Sequence, residues 1–336
     1  MKVGIVTQPL LNNYGGVLQN YALQKVLRDL GHNPTTFDRG YKATPWWLYL
    51  CSWLKTFICF FIPGKMRPFA KVIPVEKRLA VFEDFISKNI SKTIPVTGIA
   101  SIPNLAQDFD AIVVGSDQIW RPKYAPNIEE SFLGFLKKGN TRRIAYAVSF
   151  GVDYWEYSPK QTKTCAALAK KFDAVSIREE SGVILCKEYL GIDATWVLDP
   201  TLLLKKEDYI EICKDVPVET KQILAAYVLN IDDSIMKLCE TIAKEQNLEL
   251  RFFSADSKAN LSIQEWLAIF RDASYVVTDS FHGTVFSIIF GKEFKCLYNE
   301  TRGSARFEPL LRLHESGKLE EMRDFSQKWL KKALEP

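Results

Sequence analysis

Residues 274–297, SYVVTDSFHGTVFSIIFGKEFKCL, read as strand, tight turn, buried helix and strand. Residues 275–278 form a short β-branched run, 281–290 are almost wholly apolar, and 294–297 make a second strand. Asp279 or Ser280 can cap the helix, which puts His282 in its first turn at the carboxyl edge of a parallel sheet, where α/β folds bind ligands. Backbone N–H groups and the positive end of the helix dipole meet there, so the place suits a phosphate or a carboxylate. DSFHG is equally readable as a cap and turn alone, with His282 bonded to a neighbouring loop.

Working outward, the 336 residues suggest two domains, each with a full core. Lys and Arg exceed Asp and Glu by only 44 to 40 and are scattered, so no nucleic-acid surface is indicated and any bound anion is small. The seven cysteines show no CxxC or Cys/His ligand spacing. Several, such as Cys186, Cys239 and Cys296, sit in apolar segments, as expected of reduced core thiols in a cytoplasmic protein. MKVGIVT runs straight into a strand, so no signal peptide is expected at this end.

Residues 46–62, WWLYLCSWLKTFICFFI, depart from the globular pattern, with three Trp and four Phe or Tyr. Lys42 lies before them and Lys65 and Arg67 after. The run falls short of the roughly 20 apolar residues that span a bilayer. Its rings and cations suit a peripheral element at the inner face of a membrane. A buried hairpin or an oligomer contact is the alternative.

Strands are expected at 2–6, 33–37, 111–114, 144–148 and 174–177, with helices at 17–30, 75–89, 159–171 and 178–189. Asp199-Pro200 reads as a turn and domain boundary, dividing the chain into 1–198 and 199–336. The second half restarts with strands at 223–229 and 248–253 and helices at 233–246 and 262–270. Helices at 306–313 and 319–334 end the chain, and the last can cross back over the junction. The expected fold class is α/β, two doubly wound Rossmann-like domains facing a cleft.

No GxGxxG follows a strand, no GxxxxGK precedes Ser or Thr, and no DxD-like pair follows a strand. Asp232-Asp233 reads as a helix cap, and no metal is expected. NYGG at 13–16 is a weaker glycine loop at a helix start, able to meet a ligand through Asn13, Tyr14 and Gly15 or simply to permit close packing. Four polar groups stand at strand ends. Asp117 lies in VVGSDQIW beside Ser116, where a cap does not need Trp120 and Arg121. Arg178 opens a helix against the dipole, which calls for an anion, or for an ion pair with Glu179, Glu180 or Asp199. His282 and Asp279 complete the set. An acid, an arginine and a histidine on one cleft suit transfer from an anionic donor.

Together NNYGGVLQNYALQ, FDAIVVGSDQIW, AYAVSFG, SIREESG, VLDPTLLL and VVTDSFHGTVFSIIFGKEF resemble, in order and spacing, the polysaccharide pyruvyl transferase family. The resemblance implies a glycosyltransferase B-like fold, phosphoenolpyruvate as donor substrate with no further cofactor, and a sugar or lipid-linked glycan as acceptor. It also implies that a pyruvate ketal forms and phosphate leaves. On that reading His282 binds phosphate and acts as acid, Asp117 activates the acceptor, and Arg178 and the helix start from Ser280 and Phe281 to Gly283 and Thr284 hold the donor. Some members carry arginine two residues before the histidine, where this chain has Ser280, so the missing charge is expected from Arg302 or Arg306 in ETRGSAR. A nucleotide-sugar glycosyltransferase and a non-catalytic glycan-binding protein of the same fold are the competing expectations.

Overall fold

The computed structural model describes residues 1–40, 46–60, 78–93, 95–96, 106–125, 127–136, 139–254, 261–297 and 306–335, with 46–49 as backbone alone. Strand β1 (Lys2–Val6) leads through a loop into helix α1 (Tyr14–Asp29), then β2 (Asn33–Thr36), α2 (Trp46–Phe60), α3 (Ala80–Asn89) and β3 (Ala111–Val114). A one-turn α4 (Ile128–Ser131) precedes β4 (Arg142–Val148), α5 (Pro159–Ala169), β5 (Ala174–Ile177), α6 (Glu180–Leu185) and the short β6 (Thr195–Trp196). The second half contains α7 (Lys206–Ile212), β7 (Ile223–Tyr227), α8 (Asp233–Glu245), β8 (Glu249–Phe253), α9 (Ile263–Asp272) and β9 (Tyr275–Thr278). It closes with α10 (Phe281–Ile289), β10 (Glu293–Cys296), α11 (Phe307–Glu315) and α12 (Leu319–Leu334).

The strands form two parallel sheets, ordered β2-β1-β3-β4-β5-β6 and β10-β9-β7-β8. Central strands such as β3 and β7 are buried throughout, as parallel sheets covered on both faces require. The strand order reverses between β1 and β3 in the first sheet and between β7 and β9 in the second. Each reversal opens a crevice at the carboxyl ends of those strands. One apolar core runs from Val3, Ile5 and Val113 beneath the first sheet to Trp266, Val276 and Phe286 beneath the second.

Local chemistry accounts for the boundaries that differ from expectation. Helix α1 starts three residues before the apolar repeat because the Asn13 side chain accepts from Gly16 N at 3.1 Å, enclosing Tyr14, Gly15 and Gly16 in its first turn. α6 starts after Arg178, with Glu179 at its N-cap, and runs into a wider turn, Cys186–Leu190, that ends on Gly191 at φ +63°. α3 begins at Ala80; residues 75–77 of the expected helix lie outside the described residues, and Arg78 is held by Leu10 O, Asp38 and Glu83 instead. Asp232 caps α8 as expected, accepting from Ser234 and Ile235 N. Four cysteines are buried, but Cys51 is exposed and Cys59 and Cys296 are half-buried, so the thiols are not uniformly core residues.

The passage between the sheets is buried rather than an open linker. Asp199 caps a single 3-10 turn, Pro200–Leu203, whose residues are all buried. α12 crosses back onto this passage. Ser326 Oγ accepts from Leu198 N at 3.0 Å, Arg323 Nε donates to Leu202 O at 2.6 Å, and Trp329 packs near the Tyr146 ring at 6.0 Å. Leu330 is fully buried in the shared core. Leu330→Ala is therefore expected to lower stability by about 2–5 kcal/mol, measured by urea unfolding; a loss below about 1 kcal/mol would mean that α12 is not integral.

Candidate active site

The carboxyl ends of β1, β3, β7 and β9, the strands flanking the two order reversals, converge on one cavity of about 430 Å³. That volume is in the range of small-molecule sites. Gln8, Pro9, Asn12 and Asn13 line it from the β1–α1 loop, and Asp117 and Gln118 from the end of β3. From the other sheet come Tyr227, Leu229, Asp279, Ser280, Phe281 and His282, with Arg306 and Phe307 closing one side. The first turns of α1 and α10 both reach this wall, each bringing N–H groups with no intrahelical partner and the positive end of a dipole. Ser280 caps α10, accepting from Gly283 N at 3.4 Å. Asp279 instead ties β9 to β7 by accepting from Leu229 and Asn230 N at 2.7 and 3.2 Å.

His282 is only 9 % exposed, and its Nε2 has no hydrogen-bond partner among the described residues. A β-carbon placed on Gly15 would come within 2.0 Å of His282 Nδ1. The glycine loop thus serves close approach across the cleft, letting α1 reach the ring on α10. Burial pushes the His282 pKa below its ordinary value, Asp199 and Asp117 oppose that shift, and Arg178 and Arg306 add to it. The ring is held neutral near neutral pH.

Arg178 is almost fully enclosed. Its Nη1 donates to Asp199 Oδ2 at 2.8 Å and its Nη2 to Asp117 Oδ1 at 3.0 Å. Asp199 also accepts from Gln19 Nε2 and, at 2.6 Å, from Thr201 Oγ1. Burial would raise the Asp117 carboxyl, but Arg178, His282 and Arg306 outweigh it and hold it below the carboxylate range. Asp117 has φ +66°, a left-handed conformation that Asp tolerates better than most residues, and its side chain is 17 % exposed toward the cavity it lines. The guanidinium groups of Arg178 and Arg306 lie 4.8 and 5.3 Å from the Phe281 ring centroid. Burial, with repulsion from Arg178, lowers Arg306 to about 10, still cationic near neutral pH.

Of the residues expected to form the site, His282, Asp117, Ser280, Phe281, Asn13, Gly15 and Arg306 line the cavity. Five others stand behind it. Arg178 is taken up by its two aspartates. Tyr14 turns away, its hydroxyl donating to Leu261 O at 2.8 Å and its ring stacking on Trp266 at 5.2 Å, so it joins the two halves and does not line the cavity. Thr284 donates to Ser280 O, Gly283 packs on Thr278, and Ser116 is buried beneath the loop. Arg302 lies outside the described residues. Trp120 and Arg121 brace the Asp117 loop from inside, through Ser131 O at 3.0 Å and Glu156 at 2.7 Å. Sequence reasoning missed Gln8, Tyr124 and Phe307 on the wall; the position of Gln8 just past β1 was the available signal. It also left open the partners of Arg178 and the role of Glu179, whose carboxylate accepts from Phe150 and Gly151 N at 2.7 and 3.2 Å.

Two doubly wound sheets facing a ligand cleft define the glycosyltransferase B class of architecture. The chain is similar over 99 % of its length to 99 % of UDP-GlcNAc 2-epimerase from Neisseria meningitidis bound to UDP-GlcNAc, at 11 % identity and a TM-score of 0.50. A UDP-GlcNAc 2-epimerase from Methanocaldococcus jannaschii aligns at 11 % identity and TM-score 0.46 over 96 % of this chain and 94 % of that one. A glycosyltransferase from Rickettsia africae ESF-5 aligns at 11 % and 0.46 over 98 % and 92 %. A search of curated proteins finds no match. A sequence model of the polysaccharide pyruvyl transferase family matches residues 13–301. The chain belongs to the polysaccharide pyruvyl transferase family, and is a transferase of polysaccharide modification.

Because Asp117 and Asp199 would lose their shared counter-charge, Arg178→Met is expected to cost about 3–5 kcal/mol, read as a lower urea midpoint. Arg178→Lys should restore only part of it, since one ammonium cannot reproduce the two-armed fork. Wild-type stability in Arg178→Met would remove the cluster from its structural role.

Proposed function

We propose that the protein transfers the pyruvyl group of phosphoenolpyruvate to two hydroxyls of one sugar in a polysaccharide intermediate, forming a cyclic ketal and releasing inorganic phosphate. Family membership supports the reaction class. The observation that carries the donor is a small cavity walled by two helix N-termini, the buried cation Arg306 and the unpartnered Nε2 of His282. Such a wall meets a compact molecule bearing both phosphate and carboxylate.

The chemistry needs an acid and then a base. A proton delivered to the enol CH₂ makes C2 electrophilic, and one acceptor hydroxyl adds there and loses its proton. The second hydroxyl then displaces phosphate at C2: the C2–O bond to phosphate breaks as the second C–O bond to sugar forms, and the proton of that hydroxyl leaves with the phosphate. Burial keeps His282 neutral, but a multiply charged anion beside it favours the imidazolium, which then serves as phosphate ligand and general acid. Asp117 is the ionised carboxylate on the acceptor-side wall and takes up a hydroxyl proton. Arg178 acts through Asp117 as a positioning residue.

His282→Ala should lower turnover by about 10²-fold or more while leaving the urea midpoint near the wild-type value. The assay is mass spectrometry of acceptor glycan incubated with phosphoenolpyruvate or, in parallel, with nucleotide sugars. A product heavier by pyruvic acid less water supports the proposal, and a glycosyl adduct would replace it with nucleotide-sugar transfer. The sign of the His282 shift gives an independent test. Because its pKa is depressed from 6.5 in the empty site, donor binding near neutral pH should take up protons. Calorimetric titration in two buffers of different ionisation enthalpy should show that uptake in the wild type and its loss in His282→Gln. Buffer-independent heats in the wild type would end the acid assignment.

A further inference from the structure

α2 is amphipathic in the reverse sense for a helix on a water-soluble body. Leu50, Trp53, Leu54, Phe57 and Ile58 recur at i, i+3, i+4, i+7 and i+8, the spacing of a core-facing stripe. They are nonetheless 57, 53, 66, 59 and 52 % exposed. Ser52, Thr56 and Cys59 hold the inward side, with Thr56 4 % exposed and donating to Ser52 O at 3.0 Å. A helix whose small polar residues face the protein and whose large apolar residues face out presents a docking face.

Charge indicates what that face meets. From residue 40 to residue 75 the chain has no Asp or Glu, but it has Lys42, Lys55, Lys65, Arg67 and Lys71. The net positive charge of this stretch of sequence disfavours a second copy of the same stretch as partner and favours a surface of anionic lipid headgroups, with Lys55 on α2 itself. At 15 residues α2 is about 22 Å long, and no helix among the described residues is long and apolar enough to cross a membrane. It suits the headgroup boundary, with its axis in the membrane plane.

Both ends of this excursion are rooted in the cavity wall. Arg39 Nη1 donates to Thr7 O at 3.3 Å, Arg78 Nε to Leu10 O at 2.6 Å, and Leu79 N to Asn12 Oδ1 at 2.8 Å. The Asp38–Arg78 pair at 2.7 Å closes the base. Six residues lie between Arg39 and Trp46, a span of about 25 Å at full extension, so α2 starts within that reach of the cavity rim.

We infer that the outward face of α2 docks the protein on a bilayer containing anionic lipid and holds the cavity mouth close to that surface. The docking is independent of the pyruvyl-transfer reading.

Full-length protein is sedimented with phosphatidylcholine vesicles with and without phosphatidylglycerol, beside a Leu50→Ser/Leu54→Ser/Ile58→Ser variant and a Lys55→Glu variant. Wild-type protein should pellet with the phosphatidylglycerol vesicles and be released by salt. The triple variant should bind at least about tenfold more weakly, and Lys55→Glu should weaken binding to the anionic vesicles alone. All four sites are exposed, so both variants should keep the wild-type melting temperature and turnover on a water-soluble acceptor. Wild-type protein left in the supernatant at every composition, or a triple variant that pellets like wild type, overturns the docking. So does a stable dimer in light scattering that the triple substitution dissociates. Binding without pyruvyl transfer to any acceptor would leave the docking intact and refute only the proposed reaction.

Discussion

The Arg178 guanidinium is a full positive charge withdrawn from water where the two sheets meet, and it is tolerable only because Asp117 and Asp199 share it. Asp199 is fixed in turn by Gln19 from α1 and by the Thr201 hydroxyl, so one cluster binds the β3 loop, the end of β5, the first helix and the passage between the sheets. Its position also sets the floor of the cavity. Asp117 is kept ionised at the wall, and Phe281 lies against the guanidinium, which places His282, the next residue, beside the glycine loop. A change in this ion cluster therefore reaches every group that a ligand would meet.

That the cavity opens at this junction follows from topology. Each sheet alone would offer a crevice where its strand order reverses. Here the shared core, the Tyr14–Trp266 stack and the returning α12 turn the two crevices toward one another. The cavity is then walled by two helix starts instead of one. Gly15 is the condition for this, since any side chain there would occupy the space of the His282 ring.

The strands, the helices between them and the place of His282 were legible in the sequence, because buried parallel strands and amphipathic helices carry their own periods and DSFHG stands between two of them. Pairings across long separations were not. Nothing within VVGSDQIW tells that Asp117 will meet Arg178, 61 positions away, and nothing in NYGG tells that Tyr14 will leave the cavity for Trp266 while Gly15 stays. The apolar stripe of α2 was visible as a composition, but period alone does not distinguish a face turned inward from one turned outward. A helix, not the alternative buried hairpin, occupies those residues, and its apolar side faces out.

The charges around the cavity favour an anion over a neutral ligand. Three basic groups crowd one wall or the floor beneath it, and two of them have their protonated forms disfavoured: His282 by burial and by the two arginines, Arg306 by burial and by Arg178. Asp199 and Asp117 oppose the shift at His282, and Asp117 and Glu179 oppose that at Arg306, but in both cases burial and the neighbouring arginines prevail. A neutral ligand would leave that repulsion in place. An anion relieves it at both groups together, so part of its binding energy appears as restored basicity at His282. On the proposed reaction, a charged donor beside His282 favours the imidazolium that burial otherwise disfavours, so the acid would form where the donor binds.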